Sequence, residues 1–122
     1  MITLYHAPRS RASRFLFLLE ELDAPYEVVD VSIRRGDGSG ATDAHNPHPH
    51  GKVPAIRDGE TIVYESAAIA LYLTDKFPKN GIGPQIGDAK RGAYLTWLAY
   101  YCGVMEPAWM SAFQKTDVPR GT

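Results

Sequence analysis

The first 31 residues alternate between β-favouring and helix-favouring patterns, and this order restricts the fold more than any other feature. Residues 2–6 form a short β-favouring run that Ala7-Pro8 ends. Over residues 11–23, apolar side chains recur at spacings of three and four, which predicts a helix that ends before Pro25. Residues 26–31 are the next predicted strand. A strand, a helix and a strand in succession predict a βαβ unit, whose strands pair in parallel through a right-handed crossover.

A loop, a hairpin and a second helix follow this unit. Residues 34–51 are dominated by glycine, proline, histidine and charged residues, and so long a loop in a compact domain is either functional or disordered. Two short predicted strands, 53–58 and 61–64, meet at Asp58-Gly59, which is a strong hairpin signal. An apolar stripe then predicts a helix over residues 65–77. The order βαβ, loop, ββα predicts an α/β domain.

The stretch 79–88 is the predicted linker, because it is rich in glycine and proline and has no periodic pattern. We therefore expect one domain over residues 1–78. A helical segment is expected over residues 89–122.

A single long helix is predicted after the linker, over about residues 89–113. Asp88 can cap its start, and Pro107 is expected to kink or interrupt it. Residues 114–122 are expected to be a fraying tail.

Composition narrows the class of protein. With 44% hydrophobic and 22% charged residues, the 122-residue chain has the composition of a soluble globular protein. The net charge of -1 gives no basic field that would attract nucleic acid, so no nucleic-acid partner is expected. No apolar run approaches the ~20 residues of a membrane span, and the N-terminus lacks a signal-peptide pattern. The single cysteine, Cys102, cannot form an internal disulfide, so we expect a cytoplasmic protein without membrane association.

Three stretches of the chain, in order and correctly spaced, resemble the N-terminal half of the glutathione transferases: LYHAPRSRASRFLFLLEEL, GKVPAI and YESAAIALYL. The resemblance covers about residues 1–80 and continues more weakly to residue 113. It implies a thioredoxin-like βαβ-ββα domain with a mixed sheet that binds glutathione. Members of this family are nearly twice as long, so we expect the domain to be followed by a truncated all-α segment. Without its usual neighbours this segment is expected to expose apolar surface, and the resemblance implies a homodimer.

The turn after the first predicted strand is where the resemblance puts the glutathione sulfur. A free thiol has a pKa near ~8.5 and is only a few per cent ionised at neutral pH, whereas a helix N-terminus favours an anion such as a thiolate. Ser10 lies where serine-type members carry their thiolate-stabilising hydroxyl, and Arg11 lies where cysteine-type members carry their cysteine. These two are the expected catalytic residues, and Ser13 is the alternative; Tyr5 lies inside the strand, which disfavours the tyrosine-type arrangement. Ser10 or Ser13 can also cap the helix, a role compatible with catalysis.

Two further motifs are expected to bind glutathione. The family holds the proline of GKVPAI cis, so Val53-Pro54 is expected to be cis and the backbone of Val53 to pair with the extended tripeptide. Lys52 is expected to meet the glycine carboxylate, unless it is an ordinary solvated lysine. Glu65 and Ser66 are expected to bind the ammonium and α-carboxylate of the γ-glutamyl end; the alternative is a capping pair without a ligand.

Metal and disulfide chemistry are disfavoured. The spacing of His45, His48 and His50 fits no common zinc pattern, so no metal is expected, although His50 can still border the glycyl end of glutathione. The sequence contains no CxxC, which disfavours a thioredoxin-type disulfide mechanism. Cys102 is expected to be buried and inert.

The resemblance implies a glutathione S-transferase, in which the bound thiolate attacks an electrophilic carbon of a small molecule, with glutathione as co-substrate and no cofactor. Tyr101, Met105 and Trp109, with Tyr100, would line an apolar electrophile site in that arrangement, although such a stripe is more often core or a dimer contact. The alternative function is a non-catalytic glutathione-binding or protein-interaction module that lacks the electrophile site.

Overall fold

The computed structural model describes residues 1–114 of the chain. The chain divides into two compact units, Met1–Ile82 and Gly83–Thr122. This boundary falls inside the stretch predicted as a linker. The first unit mixes strands and helices, and the described part of the second unit is helical.

The first unit contains a four-stranded sheet in the order β2-β1-β3-β4. The central strand β1 pairs in parallel with β2 and antiparallel with β3, and β3 pairs antiparallel with β4. The predicted parallel βαβ unit, hairpin and mixed sheet are therefore confirmed. The strands are β1 (Ile2–His6), β2 (Tyr26–Asp30), β3 (Ala55–Asp58) and β4 (Thr61–Tyr64).

Two helices, α1 (Ser13–Glu21) and α2 (Ser66–Lys76), contribute to one hydrophobic core with the sheet. Side chains alternate between the two faces of a strand, so alternate residues of β1 reach different clusters. One cluster joins β1 and β3 to both helices, and the other lies around Tyr5. The main buried residues of the first cluster are Ile2, Leu4, Phe15, Leu19, Ile56, Ile69 and Leu73; those of the second are Tyr5, Val31 and Ala55.

Helix α1 is shorter than the predicted 11–23 at both ends. Its N-cap is Ala12, without a side-chain cap, so neither Ser10 nor Ser13 is the capping residue. At the other end Asp23 takes a left-handed conformation with φ 54°, and the N–H of Ala24 donates to the carbonyl of Leu19 at 3.1 Å. The helix thus ends through a left-handed residue before Pro25 is reached.

Residues 31–54 contain no strand or helix, in agreement with the predicted loop, and they are held in defined turns. The N–H of Arg35 donates to the carbonyl of Ser39 at 2.8 Å, and Asp43 accepts the N–H groups of Ser32 and His45 at 3.2 and 2.9 Å. Gly40 has a φ of 77°, and a Cβ atom there would lie 2.0 Å from the carbonyl oxygen of Ile33. The path of this loop therefore requires glycine at position 40.

The second unit begins its helical part at Arg91, and the single long helix predicted over 89–113 is divided. A π-helical turn, Tyr101–Met105, separates α3 (Arg91–Tyr100) from α4 (Glu106–Gln114). The turn ends at Met105, and Pro107 is the second residue of α4. Because proline has no N–H to continue the regular hydrogen-bond pattern, the interruption predicted at Pro107 takes the form of this π-helical turn.

The start of this helix also differs from the prediction. The N-cap of α3 is Lys90, while the carboxylate of Asp88 accepts the N–H of Lys90 at 2.8 Å in the preceding turn. Of the tail predicted over residues 114–122, the first residue belongs to α4 and the others lie outside the described residues.

Several large apolar side chains of the second unit are exposed: Trp97, Tyr100, Trp109 and Phe113. Cys102 is half-buried in the π-helical turn, so its predicted full burial is wrong. Across residues 1–114, no helix has both the length and the apolar character that crossing a membrane requires.

Candidate glutathione site

The topology brings three predicted motifs to one edge of the sheet. Ala55, the first residue of β3, lies opposite Tyr5 near the end of β1 and opposite Tyr64 at the end of β4. The parallel strand β2 ends beside β1, where Asp30 lies opposite His6. We call this the carboxyl edge, because β1, β2 and β4 end there and β3 begins there. Such an edge is the usual place for a binding site in α/β proteins.

The turn between β1 and α1 leaves the carboxyl edge and contains two of the expected catalytic residues. Ser10 Oγ donates to the carbonyl of Ala7 at 2.6 Å and accepts the N–H of Ala12 at 3.2 Å. Ser10 is half-buried and Arg11 is exposed. The Ser10 hydroxyl therefore closes the turn, and its hydrogen is directed at the backbone.

An arginine from the long loop holds the same turn from outside. Arg35 Nη2 donates to the carbonyl of Pro8 at 2.7 Å, and its Nη1 donates to the carbonyl of Arg9 at 3.2 Å. Arg9 has a positive φ of 54°, a conformation that residues other than glycine rarely adopt. The guanidinium thus supports a strained backbone at the mouth of the turn.

Ser13, the first residue of α1, belongs to a hydrogen-bonded group that the sequence did not predict. Ser13 Oγ lies 3.0 Å from His6 Nε2, and His6 Nδ1 lies 3.1 Å from Asp30 Oδ1. The side chain of His6 is 12% exposed and that of Asp30 is 73% exposed. The sequence feature that could have predicted this group is the position of His6 and Asp30, which are the last residues of two neighbouring parallel strands.

The loop before β3 has the backbone form that the resemblance implies, with a cis peptide bond between Val53 and Pro54. The buried side chain of Asn46 supports this loop, because its Nδ2 donates to the carbonyl of Lys52 at 2.8 Å and its Oδ1 accepts the N–H of His48 at 3.1 Å. Lys52 is exposed, and Val53 is half-buried. Asn46 therefore positions the segment that contains two of the predicted glutathione-binding residues.

His48 is a buried residue of this loop whose position the sequence did not predict. Its Nδ1 accepts the N–H of His50 at 3.0 Å, so Nε2 carries the hydrogen of the neutral ring. The ring packs against Tyr64 with a centroid distance of 4.8 Å. Burial lowers the pKa of His48 from 6.5, and the nearby charge of His50 lowers it further, while the charge of Glu65 opposes these effects. The folded protein therefore disfavours protonation of His48.

The other histidines of the loop have separate surroundings. His45 is exposed and its Nδ1 lies 3.0 Å from Asp43 Oδ1, whereas the ring of His50 lies 5.9 Å from that of His48. Within the part of the chain that the structure describes, no three residues of the types His, Cys, Asp and Glu form a group able to hold a metal ion.

The start of α2 also lies at the carboxyl edge, since it directly follows β4. Glu65 is the N-cap of α2 with a φ of 77°, and its side chain makes no capping hydrogen bond. Glu65 therefore occupies the N-cap position without a capping contact from its side chain. A strained, non-glycine residue at a helix start is typical of positions where a ligand is held, and Ser66 with the helix N-terminus favours an anion.

The residues predicted to contact the electrophile lie in the second unit. Tyr101 and Met105 belong to the π-helical turn and are half-buried, and Trp109 of α4 is 60% exposed. The rings of Tyr101 and Trp109 meet edge to face at 6.0 Å. Their role at an electrophile site stays a prediction.

Comparisons with known proteins identify the family. The sequence profile of the glutathione S-transferase N-terminal domain matches residues 4–81. The dichloromethane dehalogenase of Methylorubrum extorquens is 37% identical over 107 residues, which cover 80% of this chain and 35% of the relative. The disulfide-bond oxidoreductase YfcG of Escherichia coli is 32% identical over 114 residues, which cover 88% of this chain and 51% of the relative.

Solved structures agree with these sequence matches. A glutathione S-transferase from Actinobacillus pleuropneumoniae superposes with a TM-score of 0.77 at 28% identity, covering 98% of this chain and 56% of that one. A sphingomonad glutathione S-transferase complexed with glutathione gives a TM-score of 0.75 at 27% identity, with coverages of 98% and 58%.

The chain belongs to the glutathione S-transferase family, and the predicted thioredoxin-like fold followed by a short helical segment is confirmed. It spans between a third and about half of the length of these two curated relatives, 35% and 51% respectively.

Proposed function

We propose that the carboxyl edge binds glutathione and that the protein is a glutathione S-transferase, which joins the glutathione sulfur to an electrophilic carbon. One observation carries this proposal: the pairing of Ala55 with both Tyr5 and Tyr64 gathers the three glutathione motifs at one edge. The sphingomonad relative, at 27% identity, has been solved in complex with glutathione, which supports the choice of ligand.

In this proposal each motif binds one part of the tripeptide. The backbone of Val53 pairs with the extended cysteinyl residue as an added strand would. Glu65 meets the γ-glutamyl ammonium, while Ser66 and the N-terminus of α2 meet its α-carboxylate. Lys52, an exposed residue of the loop before β3, meets the glycine carboxylate.

The turn between β1 and α1 stabilises the thiolate in this proposal. A thiol with a pKa near ~8.5 is mostly protonated at neutral pH, so donors at a helix N-terminus must lower that pKa to produce a nucleophile. The residues available in or beside this turn are Ser10, Arg11 and Ser13. The protein binds, ionises and orients the thiol, and proximity with electrostatic stabilisation accounts for the rate.

The remaining parts of the proposal follow the resemblance. Tyr101, Met105 and Trp109 supply aromatic and apolar surface for a small electrophile, glutathione is the co-substrate, and no further cofactor takes part. A homodimer and a cytoplasmic location belong to the same proposal.

Calorimetric titration with glutathione tests the site. We expect saturable binding by the purified protein, loss of binding in Glu65→Ala, and unchanged binding in Glu60→Gln, an exposed acid of the β3–β4 turn.

Conjugation of glutathione to a chlorinated nitroaromatic, followed by absorbance, tests the enzymatic activity. Glutathione binding without conjugation above the double variant Ser10→Ala, Ser13→Ala would favour the non-catalytic binding module.

A second candidate reaction has one observation in its favour, the 32% identity with a relative named as a disulfide-bond oxidoreductase. The lack of a CxxC motif excludes only a mechanism that uses two protein cysteines of this kind. A bound glutathione thiolate can attack a disulfide, form a mixed disulfide and expel a thiolate, after which a second glutathione completes the exchange. Reduction of a small-molecule disulfide, measured with glutathione reductase and NADPH in the same assay as conjugation, distinguishes the two reactions.

A further inference from the structure

Ser13, His6 and Asp30 form a continuous chain of hydrogen bonds at the carboxyl edge. Ser13 Oγ lies 3.0 Å from His6 Nε2, and His6 Nδ1 lies 3.1 Å from Asp30 Oδ1. The three side chains come from α1, β1 and β2, so the contact depends on the parallel register that places Asp30 opposite His6. A hydroxyl, an imidazole and a carboxylate in this order form the general arrangement of a hydroxyl activated by a base that a third group orients.

The chemistry of the partners determines the direction of each hydrogen bond. The ionised carboxylate of Asp30 can only accept, so His6 Nδ1 carries the hydrogen and donates it. The other nitrogen of the neutral ring, Nε2, is then an acceptor, and the Ser13 hydroxyl donates to it. The oxygen of Ser13 keeps its lone pairs for a further donor, and the residue is half-buried rather than enclosed.

The neighbouring serine lacks such a base. Ser10 Oγ directs its hydrogen at the carbonyl of Ala7, 2.6 Å away, and a carbonyl oxygen does not take up a proton at neutral pH. Of the two serines beside the β1–α1 turn, Ser13 is therefore the one whose hydroxyl leads to a group that can hold a proton.

We propose that His6, oriented by Asp30, receives through Ser13 the proton that the glutathione thiol loses on binding. This inference rests on the proposed glutathione site. The thiol S–H bond breaks and its proton binds Ser13 Oγ, while the original Ser13 proton moves to His6 Nε2. One thiol and one neutral imidazole become one thiolate and one imidazolium, with no change in oxidation state.

The products of this transfer are stabilised by groups already in place. His6 Nδ1 lies 3.1 Å from Asp30 Oδ1, so the ring that has taken up the proton keeps its hydrogen bond to the carboxylate. The hydroxyl of Ser13 then donates to the thiolate. Ser13 is the catalytic residue of this step, and His6 and Asp30 are positioning residues that act through it.

Two measurements at one neutral pH test the relay: the glutathione Kd by calorimetry, and the thiolate absorbance of bound glutathione by ultraviolet difference spectroscopy at saturation. In His6→Gln and Asp30→Asn we expect the thiolate absorbance at saturation to fall by about threefold to tenfold, and the Kd to rise only as far as this loss of thiol ionisation requires. Asp30→Glu, which keeps the carboxylate, is expected to recover most of the absorbance. Glu60→Gln is the charge-matched control and is expected to match the wild type.

The variants separate a relay from a structural role. Asp30 is 73% exposed, so Asp30→Asn is expected to fold even where a change at the enclosed His6 lowers the melting temperature. Wild-type thiolate absorbance in both Asp30→Asn and His6→Gln would overturn the relay and leave the glutathione site intact. A wild-type protein that does not bind glutathione overturns the proposed function and the relay together, so the two failures are distinguishable.

Discussion

Ala55 lies directly opposite Tyr5 in the antiparallel pair of β1 and β3. This register puts the start of β3, and the cis Val53-Pro54 bond just before it, beside the end of β1. The turn that begins at Ala7 and the loop that ends at Pro54 therefore lie at the same edge of the sheet, although about half of the first unit separates them in sequence.

The pKa of His48 predicts a loss of stability in mild acid. Burial holds its pKa below 6.5 in the folded protein, so the folded state disfavours the protonated ring. The corresponding stability is present above the unfolded pKa of 6.5 and is lost as the pH falls through the folded pKa. Urea unfolding of the wild type at pH values on both sides of 6.5 measures this loss.

His48→Asn tests whether His48 is the group responsible. The asparagine oxygen can accept the N–H of His50 as Nδ1 does, but asparagine does not titrate. We expect a smaller change of unfolding free energy with pH in this variant. His45→Asn removes an exposed histidine of the same loop and is expected to behave as the wild type; an equal effect in both variants would contradict the assignment.

Asp58 connects the hairpin to α2, and its loss is expected to destabilise the first unit. Its carboxylate accepts the hydroxyl of Tyr72 at 2.6 Å and an ion-pair hydrogen bond from Lys76. Hydrogen bonds to a charged group contribute roughly 1.5–3 kcal/mol, so Asp58→Ala is expected to lower the free energy of unfolding by about that amount. Tyr72→Phe removes one bond and is expected to cost about 1 kcal/mol. Urea unfolding at pH 7 measures both.

The same carboxylate predicts an acid-sensitive contribution. The hydrogen bonds from Lys76 and Tyr72 lower the pKa of Asp58 below 3.8. A depressed carboxyl pKa contributes stability that is present above the unfolded value and is lost as the pH falls through the folded value. Asp58→Asn is therefore expected to unfold with less pH dependence below 3.8 than the wild type, and identical acid profiles would exclude this origin.

Gly40 and Gly38 form a matched pair for the long loop. Both have positive φ, 77° and 87°, but an added Cβ meets the Ile33 carbonyl at 2.0 Å only at Gly40 and meets nothing within 4 Å at Gly38. Gly38→Ala is expected to cost roughly 1 kcal/mol from the backbone conformation alone, and Gly40→Ala about 2–3 kcal/mol because the loop must also move. Thermal unfolding compares them, and an equal cost would show that the loop adapts freely.

Arg35 is expected to affect catalysis from outside the site. Its guanidinium donates to the carbonyls of Pro8 and Arg9, and a lysine cannot make both bonds in this planar geometry. Arg35→Lys is expected to reduce the conjugation rate at saturating glutathione by about tenfold, since catalysis depends on the position of the turn. Arg34→Lys, an exposed neighbour, is the control. A change of glutathione Kd without a change of rate would contradict a role in positioning the turn.

The four strands and two α-helices of the first unit were predictable from sequence to within two residues at each end, because buried strands and amphipathic helices leave strong local patterns. A loop was predictable over residues 34–51 because their composition has no such pattern, and in the structure it extends over residues 31–54. The division of the last helix was predictable from Pro107 only in general terms. Its form as a π-helical turn depends on how the backbone adapts over several residues.

The sequence by itself determined the order of elements and the three motifs on which the family resemblance rests, because both depend on residue types within short stretches of the chain. Only the tertiary structure decided which side chains lie in contact at the carboxyl edge and in the loop before β3. His6 and Asp30 are 24 residues apart and meet through the parallel register, and burial beside Tyr64 lowers the pKa of His48. Hydrogen bonds and burial of this kind arise between strands and loops distant in the chain, so no local pattern encodes them.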